Sequence, residues 1–227
     1  MPKINVYLPD ELAEAVRESG LPVSPICQRA LEQALRRMTA IRQAVLSDLD
    51  PAALAERLPG FTARLLEVLT IAADRAKRRD ATTVTTGDLL YGLVNERQNL
   101  GRQVLAAMEV DPDVLSVPED DEPAVATDAL RFSAPAAAAM ELTVGEAIGL
   151  GHNYVGCEHL VIGLAAEPDG IAGTLLRERG ADGKAVRRAV TAAVAGYAHL
   201  RATAGGGNPL LAQLIQRVER LERQLAG

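Results

Sequence analysis

The chain has 227 residues, with 24 Lys and Arg against 30 Asp and Glu and a net charge of −6. That balance excludes a protein that coats nucleic acid by bulk electrostatics, while leaving room for a local DNA-reading element. Aromatic residues are 3% of the chain and Trp is absent, so Ala, Leu, Val and Ile must build the core, which favours packed helices over a sandwich or barrel.

Residues Lys3 to Leu8 alternate, with Ile4, Val6 and Leu8 on one face and Lys3, Asn5 and Tyr7 on the other, the pattern of a half-buried strand. Pro9-Asp10-Glu11 opens a helix with acidic residues at its positive end, and Gly20 stops it. Ser24-Pro25 reads as an N-cap followed by Pro at the first helical position, starting a helix that runs to about Met38. One strand and two helices cannot close a core alone, and a second copy pairing strand to strand is the simplest remedy.

This stretch, 1–38, resembles the ribbon-helix-helix family, whose dimers form a two-stranded ribbon. The resemblance implies that Lys3, Asn5 and Tyr7 enter a major groove and that the amides near Ser24 clamp a phosphate. Six Lys/Arg (Lys3, Arg17, Arg29, Arg36, Arg37, Arg42) face five Asp/Glu over residues 1–45, which is thin for a DNA binder. The segment therefore reads either as a dimerisation ribbon or as a reader of operator DNA. Residues 39–57 read as one or two short connecting helices with a restart near Pro51.

From Leu58 onward the chain repeats itself. Phe132 follows Phe61 by 71 residues (132 − 61 = 71), and Gly163, Leu164, Leu176 and Asp182 follow Gly92, Leu93, Leu105 and Asp111 at the same offset. The two copies span 58–115 and 129–198, and each is expected to need the other to bury its apolar face. Between them, 116–128 reads as a solvated acidic linker. Residues 199–208 read as a flexible break. In 209–227, Leu211, Leu214, Val218, Leu221 and Leu225 form a short coiled-coil-like seam, which either pairs between chains or docks on its own globule.

The run GHNYVGCEHLVIGL (Gly151 to Leu164), followed by EPDGIAGTLLRERGADGKAVRRAV, resembles the second Clp N-terminal repeat of ClpC-type unfoldases. The resemblance covers about Leu58 to Tyr197. It implies an all-α double Clp N-repeat, two four-helix units about a pseudo-twofold axis. It also implies a globule that receives substrates and adaptors of a Clp unfoldase or protease and, in actinobacterial relatives, cyclic peptide antibiotics. Glu158, after Gly156 and Cys157, then stands where the family binds the guanidinium of phosphorylated arginine, and Ser133 stands where it has a helix-start hydroxyl. Phe132, with its repeat mate Phe61, falls at the antibiotic-binding aromatic position. The alternatives are that Glu158 only caps its helix and that the two Phe only pack.

In the first copy Gly87 replaces Glu158, Asp88 replaces His159, and Arg75 stands at the position of Glu146, so one functional site per chain, or none, is expected. The spacing of His152, Cys157 and His159 argues against a metal, since residues two apart do not share a helix face. Gly180 to Lys184 lacks the phosphate-loop spacing and the Ser/Thr after Lys, and no catalytic constellation appears. Cys27 and Cys157 read as reduced packing residues. With no signal peptide and no long apolar run, the expectation is a cytoplasmic, cofactor-free, non-enzymatic recognition protein. It would act as an adaptor or as a decoy for a Clp protease; the alternative is a transcription regulator that senses a ligand through its repeats.

Overall fold

The structure is a computed structural model that describes residues 4–47, 49–50, 53–118 and 129–205. Lys3, the acidic run 119–128 and the expected helix 209–225 lie outside the described residues. The N-terminal segment supplies α1 (Asp10–Ser19), α2 (Val23–Leu46) and α3 (Leu54–Arg57). The first repeat supplies α4 (Ala63–Arg78), β1 (Thr83–Val84), α5 (Thr86–Asn95) and α6 (Leu100–Ala107). The second supplies β2 (Arg131–Phe132), α7 (Ala134–Gly149), α8 (Cys157–Ala166), α9 (Ile171–Glu178) and α10 (Gly183–Gly205). The fold is all-α and built on the duplication.

The copies interlock by exchanging short extended segments. Val84 pairs with Phe132 and Phe61 pairs with Val155, both in parallel. Under the 71-residue offset Phe61 maps to Phe132 and Val84 to Val155, so the two pairings are one contact related by a pseudo-twofold axis. Each repeat thus contributes the chain before its first helix to the edge of the other, which explains why neither buries its apolar face alone.

Within each copy the first two helices cross at a glycine. A Cβ on Gly92 of α5 would lie 2.4 Å from the Val68 carbonyl oxygen, and one on Gly163 of α8 would lie 2.6 Å from the Ala139 oxygen. These are repeat-equivalent contacts, so the shared Gly-Leu of the two copies fixes how closely the helices approach. The helix starts are capped from within: Thr62 accepts from the Leu65 amide at 3.3 Å and Ser133 from the Ala136 amide at 3.2 Å. Thr85 and Asp88 form a reciprocal capping box at α5.

Several expectations are corrected. The second helix does not start at Ser24 or end near Met38; it begins at Val23 and continues to Leu46, because Met38, Ile41, Ala44 and Val45 form a stripe that packs on the repeats. The segment expected to connect is part of the globule, with Leu49, Leu54 and Leu58 buried and the Leu49 amide donating to the Leu130 carbonyl at 2.7 Å. Helix α10 runs on through 199–205, where a break was expected. In the first copy, the positions equivalent to the start of α10 form a turn and extended chain, and Pro118 would interrupt any helix there.

The strand expected at residues 3–8 is not formed in the single chain over the described residues 4–8, since a strand needs a partner and none of the described residues supplies one. Its residues stand in solvent, with Ile4 82% and Val6 63% exposed, and α1 buries nothing.

Candidate functional site

The site is built on the turn before α8. His159, the third residue of the helix, reaches back so that its Nδ1 accepts the Gly156 amide proton at 2.9 Å. It thereby makes the reach-back half of a capping box, as Asp88 does to the Thr85 amide at the start of α5. Since Nδ1 is an acceptor, a neutral His159 carries its proton on Nε2, which lies 2.7 Å from Nδ1 of His152 and donates to it. Burial, then the neighbouring His152 and Arg37, lowers the His159 pKa to about 4 and keeps it neutral. Arg37, on the long helix α2, donates to the His152 carbonyl at 2.6 Å and braces the same turn.

Glu158 is buried, and its carboxylate folds back over the turn. A Cβ on Gly156 would lie 2.4 Å from its Oε2, so glycine at 156 is what admits the carboxylate. The cap is made by His159, and the Glu158 carboxylate instead lies close enough to the Tyr154 hydroxyl to act on it. Burial, then the charge and closeness of Glu158, raise the Tyr154 pKa to about 12. The Tyr154 ring stacks on His152 with centroids 5.2 Å apart and planes 5° apart. The Nδ1 of His159 is 3.7 Å from Glu158, but that histidine is neutral. Among the described residues no cation pairs with the carboxylate.

The first copy differs at the equivalent place. Asp88, at the position of His159, is buried and paired with Arg79 at 2.6 Å and with Arg75 at 3.7 Å. Gly87, at the position of Glu158, faces Ile171 of the other copy, where a Cβ would meet that side chain at 2.9 Å. The first copy has supplied its own cations and closed over the missing carboxylate.

Donor atoms of His152, Glu158 and His159 lie within 4.8 Å of one another, a spacing that suits a cation. The hydrogen bonds oppose it: a metal on Nε2 of His159 requires the proton on Nδ1, which is already an acceptor from Gly156. Cys157 does not join the group. Its thiol is buried, and burial followed by the Glu158 charge raises its pKa, so it is an inert packing group rather than a nucleophile.

The exchange of segments divides the expected site residues. Gly156, Cys157 and Glu158 lie beside Phe61, because Val155 pairs with Phe61 and the Thr62 amide donates to the Val155 carbonyl at 2.9 Å. Phe132 and Ser133 lie instead beside Val84, at the α5 start of the first copy, where the Ser133 amide donates to the Val84 carbonyl at 3.0 Å. Ser133 caps α7, Phe132 is buried and Phe61 half-buried. Asn5, Tyr7 and Ser24 are exposed and distant in sequence from the repeats. The residues sequence reasoning missed are Tyr154, Thr62 and Arg37. Tyr154 was legible as the aromatic nearest the motif's acid, whereas Thr62 requires knowledge of the exchange. An open cavity of about 740 Å³ near Glu146, Arg187 and Lys184 contains none of these residues.

The family described as Clp repeat (R) N-terminal domain matches residues 60–121 and 131–226. The chain belongs to the Clp N-repeat family. The two matched stretches correspond to the two structural copies, so the site described above is the second Clp repeat's. The chain is 32% identical over 163 residues to the chaperone protein ClpC2, chloroplastic, of Arabidopsis thaliana, covering 70% of this chain and 17% of that protein. It is 33% identical over 164 residues to the chaperone protein ClpC, chloroplastic, of Pisum sativum, with 70% and 17% covered. The chain thus spans about a sixth of the length of these relatives. Among solved structures, the N-terminal domain of the chaperone ClpD from Arabidopsis thaliana matches 60% of this chain and 94% of that one, at 22% identity and a TM-score of 0.47. No helix of the described residues is long and apolar enough to cross a membrane.

Proposed function

We propose that the chain is a non-catalytic recognition component of a Clp protease system, and that Glu158 receives the guanidinium of a phosphorylated arginine on a partner. The observation that carries this is a buried carboxylate with no cation of its own among the described residues. A charge in that setting is costly unless a partner arrives to neutralise it, and a guanidinium answers a carboxylate with paired donors. The Tyr154 hydroxyl holds the place until the ligand displaces it. The relatives named as Clp chaperones support the setting, in which the chain acts as an adaptor or a decoy. Cyclic peptides are a second ligand class, with half-buried Phe61 beside the turn as their apolar contact.

Calorimetric titration of the whole chain with free phosphoarginine tests the reading. It predicts saturable binding at one site per chain, lost in Glu158→Gln. Correctly folded protein that releases no heat refutes it. The same proposal includes a homodimer, because Ile4, Val6, Leu12, Leu31 and Leu35 are exposed and nothing among the described residues covers them. Light scattering should give twice the chain mass for the wild type and the single mass for Val6→Asp; a monomeric wild type removes the dimer from the proposal.

A further inference from the structure

Arg75 lies on α4 of the first repeat and is buried. Its guanidinium is held at both terminal nitrogens and over one face. Nη1 donates to the Gly87 carbonyl at 3.1 Å, and Nη2 donates to the carbonyls of Val117 at 2.8 Å and Pro118 at 3.2 Å. Nε is 3.7 Å from the Asp88 carboxylate, and the carbon between the nitrogens lies 4.4 Å over the Tyr91 ring. A planar cation with five N–H donors meets acceptors at its rim and a π-face beneath it, the arrangement that distinguishes guanidinium from ammonium.

The fold does not require this arrangement. At the repeat-equivalent positions the second copy has Glu146 for Arg75, Ile162 for Tyr91 and Arg188 for Val117, and Glu146 pairs with Arg187 at the surface at 2.7 Å. The same helices therefore pack without a buried cation. Asp88 does not need Arg75 to be neutralised either, since Arg79 bonds it at 2.6 Å.

We infer that the first repeat carries a guanidinium-binding site of its own, lined by Tyr91, Asp88 and the carbonyls of Gly87, Val117 and Pro118, which the chain keeps occupied with Arg75. The ligand class is an arginine side chain or another alkylguanidinium. Arg75 acts as an internal competitor, so the first repeat is closed to outside ligands while the second is open. This inference stands on the first repeat alone and survives even if Glu158 binds nothing.

Arg75→Ala in the full chain empties the cage, and ethylguanidinium replaces the atoms removed beyond Cβ. For a Kd of about 1 mM, 10 mM ligand raises the variant's Tm by about 3–6 °C. At that concentration the denaturing action of the guanidinium group is negligible. Ethylammonium, of equal charge but without the fork, gives no comparable rise, and neither cation shifts the wild type. Adding Tyr91→Leu to Arg75→Ala abolishes the ethylguanidinium effect. Should Arg75→Ala not fold unaided, its refolding yield on dilution from urea makes the same comparison, with recovery in ethylguanidinium and none in ethylammonium. Equal effects of the two cations, or equal effects of ethylguanidinium on variant and wild type, overturn the inference.

Discussion

Gly163→Ala sets two opposing effects against each other. Replacing a mid-helix glycine by alanine favours the helix by about 1 kcal/mol. Against this, the new methyl would sit 2.4 Å from the Thr143 hydroxyl, 2.6 Å from the Ala139 carbonyl oxygen and 3.0 Å from the Thr143 amide nitrogen. Two of those atoms are backbone of α7 and cannot swing aside, so the two most extensively packed helices of the second repeat must part. Overpacking of this kind costs about 3 kcal/mol, leaving a net loss of about 2 kcal/mol and a fall in Tm of about 4–8 °C for a chain of this size. Gly145, on the exposed side of α7, has nothing within 4 Å of its would-be Cβ, so Gly145→Ala shows the propensity effect alone and raises Tm by about 1–4 °C. Differential scanning calorimetry of the two variants beside wild type reads both signs. A Tm for Gly163→Ala at or above wild type would refute the close approach of α7 and α8 as the reason for the glycine.

Three further outcomes follow from the site. Tyr154→Phe removes the hydroxyl that serves the buried Glu158 carboxylate, so urea unfolding should show a loss of about 1–2 kcal/mol together with tighter phosphoarginine binding, because the ligand no longer displaces that hydroxyl. His159 has a folded pKa of about 4 against an ordinary 6.5, so the unfolded chain binds the extra proton between those values. Its contribution is therefore complete above about pH 7 and is lost as pH falls from 6.5 to 4, by about 3 kcal/mol in all. The difference in stability between wild type and His159→Asn, measured at pH 7.5 and 4.5, should shrink by about that amount; an unchanged difference contradicts the neutral buried imidazole. Titration of the native chain with a thiol reagent at pH 7.5 should spare Cys157 until denaturant is added.

Much of the fold is legible in the sequence because duplication repeats its constraints: Gly92 and Gly163, Thr62 and Ser133, and Phe61 and Phe132 recur at one spacing as each copy solves the same packing problem. Helix α2 was legible too, since Met38, Ile41 and Val45 continue its stripe, but the sequence reading ended it where polar Thr39 follows Met38. The pairing of Phe61 with Val155 was not legible. It is a contact between copies, and periodicity within a copy carries no sign of which edge receives which segment. For that reason Ser133 and Phe132 were grouped with Glu158, although they border the first repeat. The role of Arg75 was half legible: a cation at the position of Glu146 spoils the site for an outside guanidinium, but only the fold shows that it fills a site itself. Residues 4–8 have the alternation of a strand, yet pairing is a property of two segments, and this chain presents one.

The central claim is that the second repeat binds a guanidinium ligand through Glu158 while the first is closed by Arg75. Backbone amide shifts of the ¹⁵N-labelled chain during titration with phosphoarginine test it most directly. The account predicts saturable shifts confined to Phe61–Thr62 and to Tyr154–His159, with Arg75, Gly87 and Asp88 unmoved. Shifts centred on Gly87 and Asp88, or none at Tyr154 and Glu158 at saturating ligand, would contradict it.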